Sequence, residues 1–450
     1  MFKRILIANR GEIACRVIRT CKAMGIETVA VYSEADEKSR HVRDADQAVC
    51  IGPAPSAESY LNMQAILDAA ERTEAKAIHP GYGFLSENAL FSDLCAQRKF
   101  TFIGPSARVI RLMGDKATAR RTMKAVGIPI VPGSEGLLAT VDDAVAFART
   151  SGYPVLLKAT AGGGGKGMRV CRSEDELKKR FPEAAMEAQK AFGNPGLYLE
   201  RFVEKGRHIE FQFFGDAYGN GVHLFERECS VQRNHQKLIE ESLSPVIDEA
   251  TRTRMGERVA KAISAIGYQG AGTMEFLLDS TSGELFFMEV NTRLQVEHPV
   301  TEMLTGLDLV KEQIQVAANH RLSWKQADLQ HSGHAIECRV NAEDPSQNFK
   351  PSPGVVTRFE PPTSVAGATV RVETYLEAGA QIPVYYDSMV CKLIVHAADR
   401  DAARRAMLEA LGAFKIEGVK TTIPIHLKIL SDERFASGRY HTGLVAELGA

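Results

Sequence analysis

The chain has 450 residues, 44% of them hydrophobic and 25% charged, with a formal net charge of -1. That length can bury several cores and implies about two to four domains, and the near-neutral balance argues against a broad nucleic-acid-binding surface. No apolar run reaches the roughly 18 residues of a membrane helix. The eight cysteines are scattered without a Cys-x-x-Cys spacing, which fits a reducing compartment and does not suggest a zinc site or a disulfide framework.

Basic residues precede Ile5-Leu-Ile-Ala8, but Asn9-Arg-Gly-Glu12 ends that stretch too soon for a signal peptide. A buried first strand and a cytoplasmic location, with no membrane partner, are the expectation. A helix from about Gly11 to Met24 and strands at Glu27–Tyr32, Ala77–His79 and Phe100–Ile103 predict a doubly wound, mostly parallel sheet, so residues 1–113 read as a Rossmann-like domain. The first strand–helix turn has a single glycine and lacks Gly-x-Gly-x-x-Gly.

Residues 114–330 form the expected second domain. A helix from about Asp115 to Ala125 breaks at Gly127-Ile-Pro-Ile-Val-Pro-Gly133. A small α/β insert at about 131–203 then holds Tyr153–Lys158, a glycine run and a helix from Ser173 to Phe192. Strands Ile209–Phe214 and Gly221–Glu226 follow, and residues 331–450 resume with Ala335–Val340 and a helix near Arg400–Leu411. The whole reads as α/β, ending in an α+β domain.

The glycine run Ala161-Gly-Gly-Gly-Gly-Lys-Gly-Met168 joins two strands, so no helix N-terminus is offered to a pyrophosphate. The Walker spacing fails as well, because Thr160 stands at its first glycine and Gly167 follows the lysine. Two readings remain: a hairpin lid closing over phosphates with Lys158 and Lys166 as counter-charges, or a surface loop with no ligand.

Glu289-Val-Asn-Thr-Arg-Leu-Gln-Val-Glu297 carries a polar group at every odd position. An extended strand would place Glu289, Asn291, Arg293, Gln295 and Glu297 on one face. Just upstream, Thr273–Leu278 and the turn-like Asp279-Ser-Thr-Ser-Gly283 make a hairpin that presents Glu275 beside Glu289. Magnesium takes carboxylates together with phosphate oxygens, and phosphoryl transfer needs charge neutralisation above all. Glu275, Glu289 and Asn291 are candidate metal ligands, with Lys116 and Lys158 as fixed positive charges. Solvated salt bridges are the alternative, but apolar Met274, Phe276, Phe287 and Met288 flank both glutamates and favour a metal.

His79-Pro-Gly-Tyr-Gly-Phe-Leu-Ser-Glu-Asn88, Gly114-Asp-Lys116, the glycine run, Gln232-Arg-Asn-His-Gln-Lys237 and Glu289-Val-Asn-Thr-Arg-Leu-Gln-Val-Glu-His-Pro299 stand in this order. On these motifs the chain resembles, across essentially its full length, the biotin carboxylase family of ATP-grasp enzymes. The resemblance implies three domains, an ATP-grasp core with a glycine-rich lid, and carboxylation of biotin N1 with MgATP (or the manganese complex) and bicarbonate. It assigns Lys116, Lys158, His208, Gln232 and His235 to nucleotide, with Gly163, Gly164, Gly165, Lys166, Gly167 and Met168 in the lid. Glu200-Arg201-Phe-Val203 becomes the adenine hinge, with Leu277 and Met288 against the ring. Glu275, Glu289 and Asn291 match the metal site; Lys237, Arg293, Gln295 and the Val296 backbone match the bicarbonate cradle, and Glu297 the general base. Arg339 and Tyr82 would meet biotin. Asn234, Arg201, Leu243 and Lys166 depart from common family residues without removing a proposed catalytic group.

The resemblance also implies partners: a biotin carboxyl carrier protein and carboxyltransferase subunits as separate chains, and self-association, as in dimeric relatives. Acetyl-CoA carboxylase, within fatty acid biosynthesis, is the expected setting, with pyruvate or another oxo acid as alternative acceptors. An ATP-grasp ligase for another carboxylate, a silent nucleotide-binding partner and a dinucleotide oxidoreductase are the competing classes. Cys229, His79, His298 and His334 read as buried structural residues.

Overall fold

The computed structural model describes residues 1–134, 136–159, 168–192 and 194–449, and the chain divides into two compact units. The first comprises Met1–Ile128, Arg207–Phe276 and Met288–Ala450; the second is Pro129–Gly206 with Leu277–Phe287.

The first unit begins with β1 (Arg4–Ile7), α1 (Gly11–Ala23), β2 (Glu27–Ser33), β3 (Gln47–Gly52), β4 (Ala77–His79) and β5 (Thr101–Phe102). The strands form one sheet in the order β3-β2-β1-β4-β5, with all four neighbouring pairs parallel. Ile5, Leu6 and Ile7 are wholly buried, as a central parallel strand covered on both faces requires. α1 packs Ile13, Val17, Ile18 and Cys21 into the core beside Ile5 and Ile7. The sequence pattern missed β3. Its Gln47-Ala-Val-Cys-Ile-Gly run lies at the sheet edge with three exposed residues and carries no aliphatic stripe.

Strand order reverses between β1 and β4, and such a switch point opens a crevice at the carboxyl ends of the strands. Asn9, just past β1, donates from Nδ2 to Pro80 O (2.7 Å) and Tyr82 O (2.8 Å), so the two switch-point loops are tied together. Gly81 has φ +63°, and a Cβ there would lie 2.9 Å from that same Nδ2, so a glycine is needed twice over.

In the second unit, β6 (Val155–Ala159), β7 (Met168–Cys171) and β8 (Leu197–Arg201) form an antiparallel sheet in the order β7-β6-β8. Helices Val141–Ser151 and Glu174–Phe192 accompany it, and Val155, Leu157, Leu177 and Leu199 share its core. The glycine run, with Gly163, Gly164, Gly165, Lys166 and Gly167, lies outside the described residues. The strands on either side pair as expected, Lys158 opposite Met168. Gly206 closes the segment because a Cβ there would meet Leu277 Cδ1 at 2.5 Å.

β9 (Gly206–Gly215), β10 (Gly221–Arg233), β11 (Gln236–Ser242), β12 (Gly270–Asp279), β13 (Leu285–Asn291) and β14 (His334–Asn341) belong to an eight-stranded sheet. Its order is β13-β12-β9-β10-β11-β14, followed by strands Met389–Ala397 and Ala368–Thr374. β11 pairs with β14, so one sheet continues through the connection around residue 330. Phe211, Phe213 and Phe276 are fully buried under it, and helix Arg400–Ala413 packs Met407 and Leu411 against Leu393 and Val395 at its far end.

The hairpin of β12 and β13 is present. The expected strand through Glu297 is not: β13 ends at Asn291, and residues 292–297 run irregularly into helix His298–Thr305. The cause is tertiary. Glu87, from the loop after β4, accepts from the Thr292 backbone N–H (2.9 Å), and Pro299 starts the helix. Arg293 and Gln295 still reach the same cavity as Glu289 and Asn291, by a loop instead of by strand alternation.

Candidate active site

A cavity of about 770 Å³ lies where the switch-point loops meet the long sheet within the first unit. Asn9, Arg10, Glu12 and Tyr82 line it from the loops. From the sheet come His208 on β9, Lys237 on β11, Glu275 on β12, Glu289 and Asn291 on β13 and Arg339 on β14. Arg293, Gln295 and Val296 complete the wall, and His235 reaches it from the tight turn between β10 and β11.

Lys237 is the hub. Its ammonium lies 2.7 Å from Glu210 Oε2, 3.2 Å from Glu275 Oε1 and 2.6 Å from Glu297 Oε1. Arg339 donates from Nε to Glu240 (2.6 Å) and from Nη2 to Glu297 Oε2 (2.8 Å), so each oxygen of Glu297 faces its own cation. Beneath them Arg227, wholly buried, donates to Glu210 (2.5 Å), Gln212 (2.8 Å), Thr301 (2.9 Å) and Thr273 (3.1 Å). A buried guanidinium with donors satisfied on four sides is a rigid anchor for Glu210.

Electrostatics follow from this sharing. Burial alone would raise Glu297, yet the Lys237, Arg339 and Arg227 charges outweigh it and hold the carboxyl well below its usual range. Glu275 is likewise lowered: Lys237 and His208 override its burial. Lys237 is raised despite burial because Cys229 and the carboxylates of Glu210, Glu275 and Glu297 surround it. Glu240 goes the other way, up to about 7, since burial dominates and Arg339 must also serve Glu297. The loop residues form their own clasp. Arg293 donates to Glu87 (2.9 Å), Gln295 (2.8 Å) and Asn291 (3.2 Å), and Asn291 Nδ2 donates to Glu275 (2.9 Å).

Comparison with known proteins settles the family. The description "Biotin carboxylase, N-terminal domain" fits residues 1–110, "Carbamoyl-phosphate synthase L chain, ATP binding domain" fits 115–325, and "Biotin carboxylase C-terminal domain" fits 337–447. Biotin carboxylase 1 of Bacillus subtilis (strain 168) is 55% identical over 98% of this chain and 98% of its own. The chain belongs to the biotin carboxylase family. A crystal structure of the biotin carboxylase component of pyruvate carboxylase matches with TM-score 0.90 at 50% identity, covering 100% of this chain and 98% of that one. A crystal structure of the biotin carboxylase domain dimer of 2-oxoglutarate carboxylase from Hydrogenobacter thermophilus, in complex with MgADP, ADP and bicarbonate, matches with TM-score 0.89 at 50% identity, covering 100% of this chain and 98% of that one. As a biotin carboxylase family member, the chain is an ATP-dependent ligase with the three-part α/β architecture of that family.

The metal residues expected in a biotin carboxylase sit as the hairpin predicts, with one revision. The buried Glu275 already has Lys237 and His208 Nε2 (3.0 Å) as counter-charges, so its burial does not by itself call for a metal. Glu289 is only half-buried; desolvation and the Glu275 carboxylate raise it, and Lys116 lies 3.7 Å away. Two carboxylates with an amide oxygen suit a hard divalent cation, which would relieve that repulsion, so the residues fit magnesium or manganese. Lys116 and Met288 share a smaller cleft of about 240 Å³ with Glu87, Glu289 and Asn291. Gln232 stands opposite Lys237 in the β10–β11 ladder.

In the second unit Lys158 pairs with the buried Glu200, and Arg201 bonds Asp279 (2.9 Å) while stacking on Phe286. Val203 and Leu277 lie close to Gly206. Met168 begins β7 with an exposed side chain. Sequence reasoning missed Glu12, Glu87, Glu210, Arg227, Glu240 and Lys392 as participants. Only Glu87 carried a signal, its place inside the His79–Asn88 motif. The others are polar residues on a helix or on strands whose partners lie far away in the sequence.

Proposed function

We propose that this chain carboxylates N1 of biotin carried on a separate carrier protein, using MgATP and bicarbonate. The observation that carries this reading is the Lys237–Glu297–Arg339 constellation at the cavity, one carboxylate gripped by two cations beside Arg293, Gln295 and the Val296 backbone. Bicarbonate takes the Arg293 guanidinium, the Gln295 amide and Lys237. As the anion draws Lys237 away, Glu297 loses one of its two counter-charges and its proton affinity rises, so the base is switched on by its own substrate.

Glu297 then accepts the bicarbonate proton. The freed oxygen attacks the γ-phosphorus, the bond to the bridging oxygen breaks, and ADP leaves with carboxyphosphate formed. The family resemblance gives Lys116, Lys158, His208, Gln232 and His235 to the nucleotide's phosphates or ribose, Gly163 to Met168 to the lid, and Glu200–Val203, Leu277 and Met288 to adenine. Glu275, Glu289 and Asn291 would hold magnesium, which would neutralise phosphate charge. Carboxyphosphate breaks into CO₂ and phosphate, and phosphate takes the N1 proton of biotin. Arg339 meets the enolate oxygen with a planar fork of donors, Tyr82 borders the ring, and N1 attacks CO₂.

The carboxylated carrier passes its group to a carboxyltransferase on another chain. Acetyl-CoA in a cytoplasmic, fatty-acid-forming system is the acceptor we take first. Pyruvate and 2-oxoglutarate are the acceptors that the named relatives point to. A homodimer is taken from the relative described as one.

The test is ADP release with free biotin, with and without bicarbonate. Turnover that requires bicarbonate and rises with biotin is expected; turnover with an amino acid and no bicarbonate would overturn the proposal. In Glu297→Gln the bicarbonate-dependent rate falls by about 10²–10³-fold with the ATP KM within about twofold. An unchanged rate removes Glu297 from the base role.

A further inference from the structure

Lys392 has no place in the mechanism above, yet it is wholly buried behind the anion site. It stands opposite Arg339 across the β14 ladder, on strand Met389–Ala397. Its ammonium donates to Val296 O (2.8 Å), pairs with Glu12 Oε1 (2.9 Å) and lies 5.8 Å from the centre of the Tyr82 ring. Glu12 in turn accepts from the Tyr82 hydroxyl. Burying an ammonium is costly, and it persists where every donor has work.

The neighbouring carbonyl is pinned as well. Gln295 O receives His298 Nδ1 (2.8 Å) and the His298 backbone N–H (3.3 Å). A carbonyl can only accept, so His298 donates from Nδ1, and burial with the Lys392 charge keeps the ring neutral. In a trans peptide the N–H points away from the C=O. Holding Gln295 O and Val296 O therefore fixes the directions of the Val296 and Glu297 N–H groups. Among the described residues neither amide donates to any backbone or side-chain acceptor. Val296 lines the cavity, and the peptide that joins it to the buried Glu297 cannot turn while Lys392 holds its carbonyl, so the backbone at this wall is set as an anion nest requires.

We propose that Lys392 is a positioning residue that aims the Val296–Glu297 peptide at the bicarbonate oxygens and, through Glu12, ties that peptide to Tyr82 at the biotin side of the cavity. This rests on the reading of the cavity as a bicarbonate and biotin site. Lys392 touches no substrate; it acts through the backbone it holds.

Lys392→Met removes the donor and keeps the chain length. Its bicarbonate KM is expected to rise about tenfold, the size of one lost hydrogen bond from a charged group, with the ATP KM within about twofold. A merely structural role would move both constants together or neither, and either result overturns the proposal. If the orphaned Glu12 prevents folding, K392M/E12Q is compared with E12Q alone, where no buried carboxylate is left unpaired. The same selective rise from single to double variant is expected, and equal bicarbonate constants overturn the proposal. A wild-type enzyme that needs no bicarbonate would instead sink the functional reading underneath.

Discussion

Glu240 and Glu241 are consecutive on β11, equally buried, and opposite in behaviour. Consecutive strand residues face opposite sides of a sheet. On one side Glu240 bonds Arg339, which also serves Glu297; burial and the Glu297 charge outweigh Arg339 and the more shared Lys237, and it is pushed up to about 7. On the other, Glu241 receives Arg400 through Nε (2.7 Å) and Nη2 (3.0 Å), lies 2.7 Å from His334 Nε2 and accepts from Tyr440. Burial would raise Glu241, but the His334 bond and the Arg400 charge outweigh it and hold the carboxyl at about 2. Burial is the same in both places; what differs is how many counter-charges each carboxylate must share. The crowded side has carboxylates whose charge depends on who else is present, as proton transfer needs. The satisfied side holds the C-terminal elements in place.

The contrast breaks most severely at Lys237, which three carboxylates share. Lys237→Met is expected to lower biotin-dependent ADP release by about 10²–10³-fold and to cost about 3 kcal/mol of stability in urea unfolding. A variant with normal turnover would show that the crowded side does not depend on its hub.

Glu241→Gln tests the satisfied side. It is expected to lose about 3 kcal/mol at pH 7, because Arg400 and His334 lose their charged partner. The folded carboxyl lies below the ordinary value of 4.5, so its contribution is complete above that value and vanishes as the pH falls through about 2. The stability gap between wild type and variant should stay constant from neutral pH to about 5, then close toward 2. A gap independent of acid would refute the assignment.

Glu240 tests the crowded side through its own titration. With the folded carboxyl raised from 4.5 to about 7, its contribution is full below 4.5 and is lost as the pH rises through 7. Glu240→Gln should therefore match wild type near pH 4.5 and gain on it steadily as the pH rises through 7, read as urea midpoints. A variant that loses stability with rising pH reverses the picture.

Much of the site was legible in the sequence because it is local. The Thr273–Leu278 and Glu289 runs, joined by a turn-like segment, fold as the hairpin that period-two alternation predicts, with Glu275 and Glu289 on adjacent strands. The parallel first sheet followed from strand–helix alternation in the same way. The edge strand β3 escaped, since exposure on one side removes the aliphatic stripe on which such a reading depends.

What escaped in the site is non-local. Nothing near Glu87 announces that it caps Thr292 and holds Arg293, and nothing near Lys392 that its ammonium ends on Val296 O. The sequence by itself determined which residues bear charge and which strands carry them, because alternation and turn chemistry act over a few residues. Only the tertiary structure decided where the strand ends, which carboxylate is crowded and which is satisfied, and which peptides are left with open N–H groups. Those outcomes depend on which distant cations arrive within hydrogen-bond reach once the sheet is assembled.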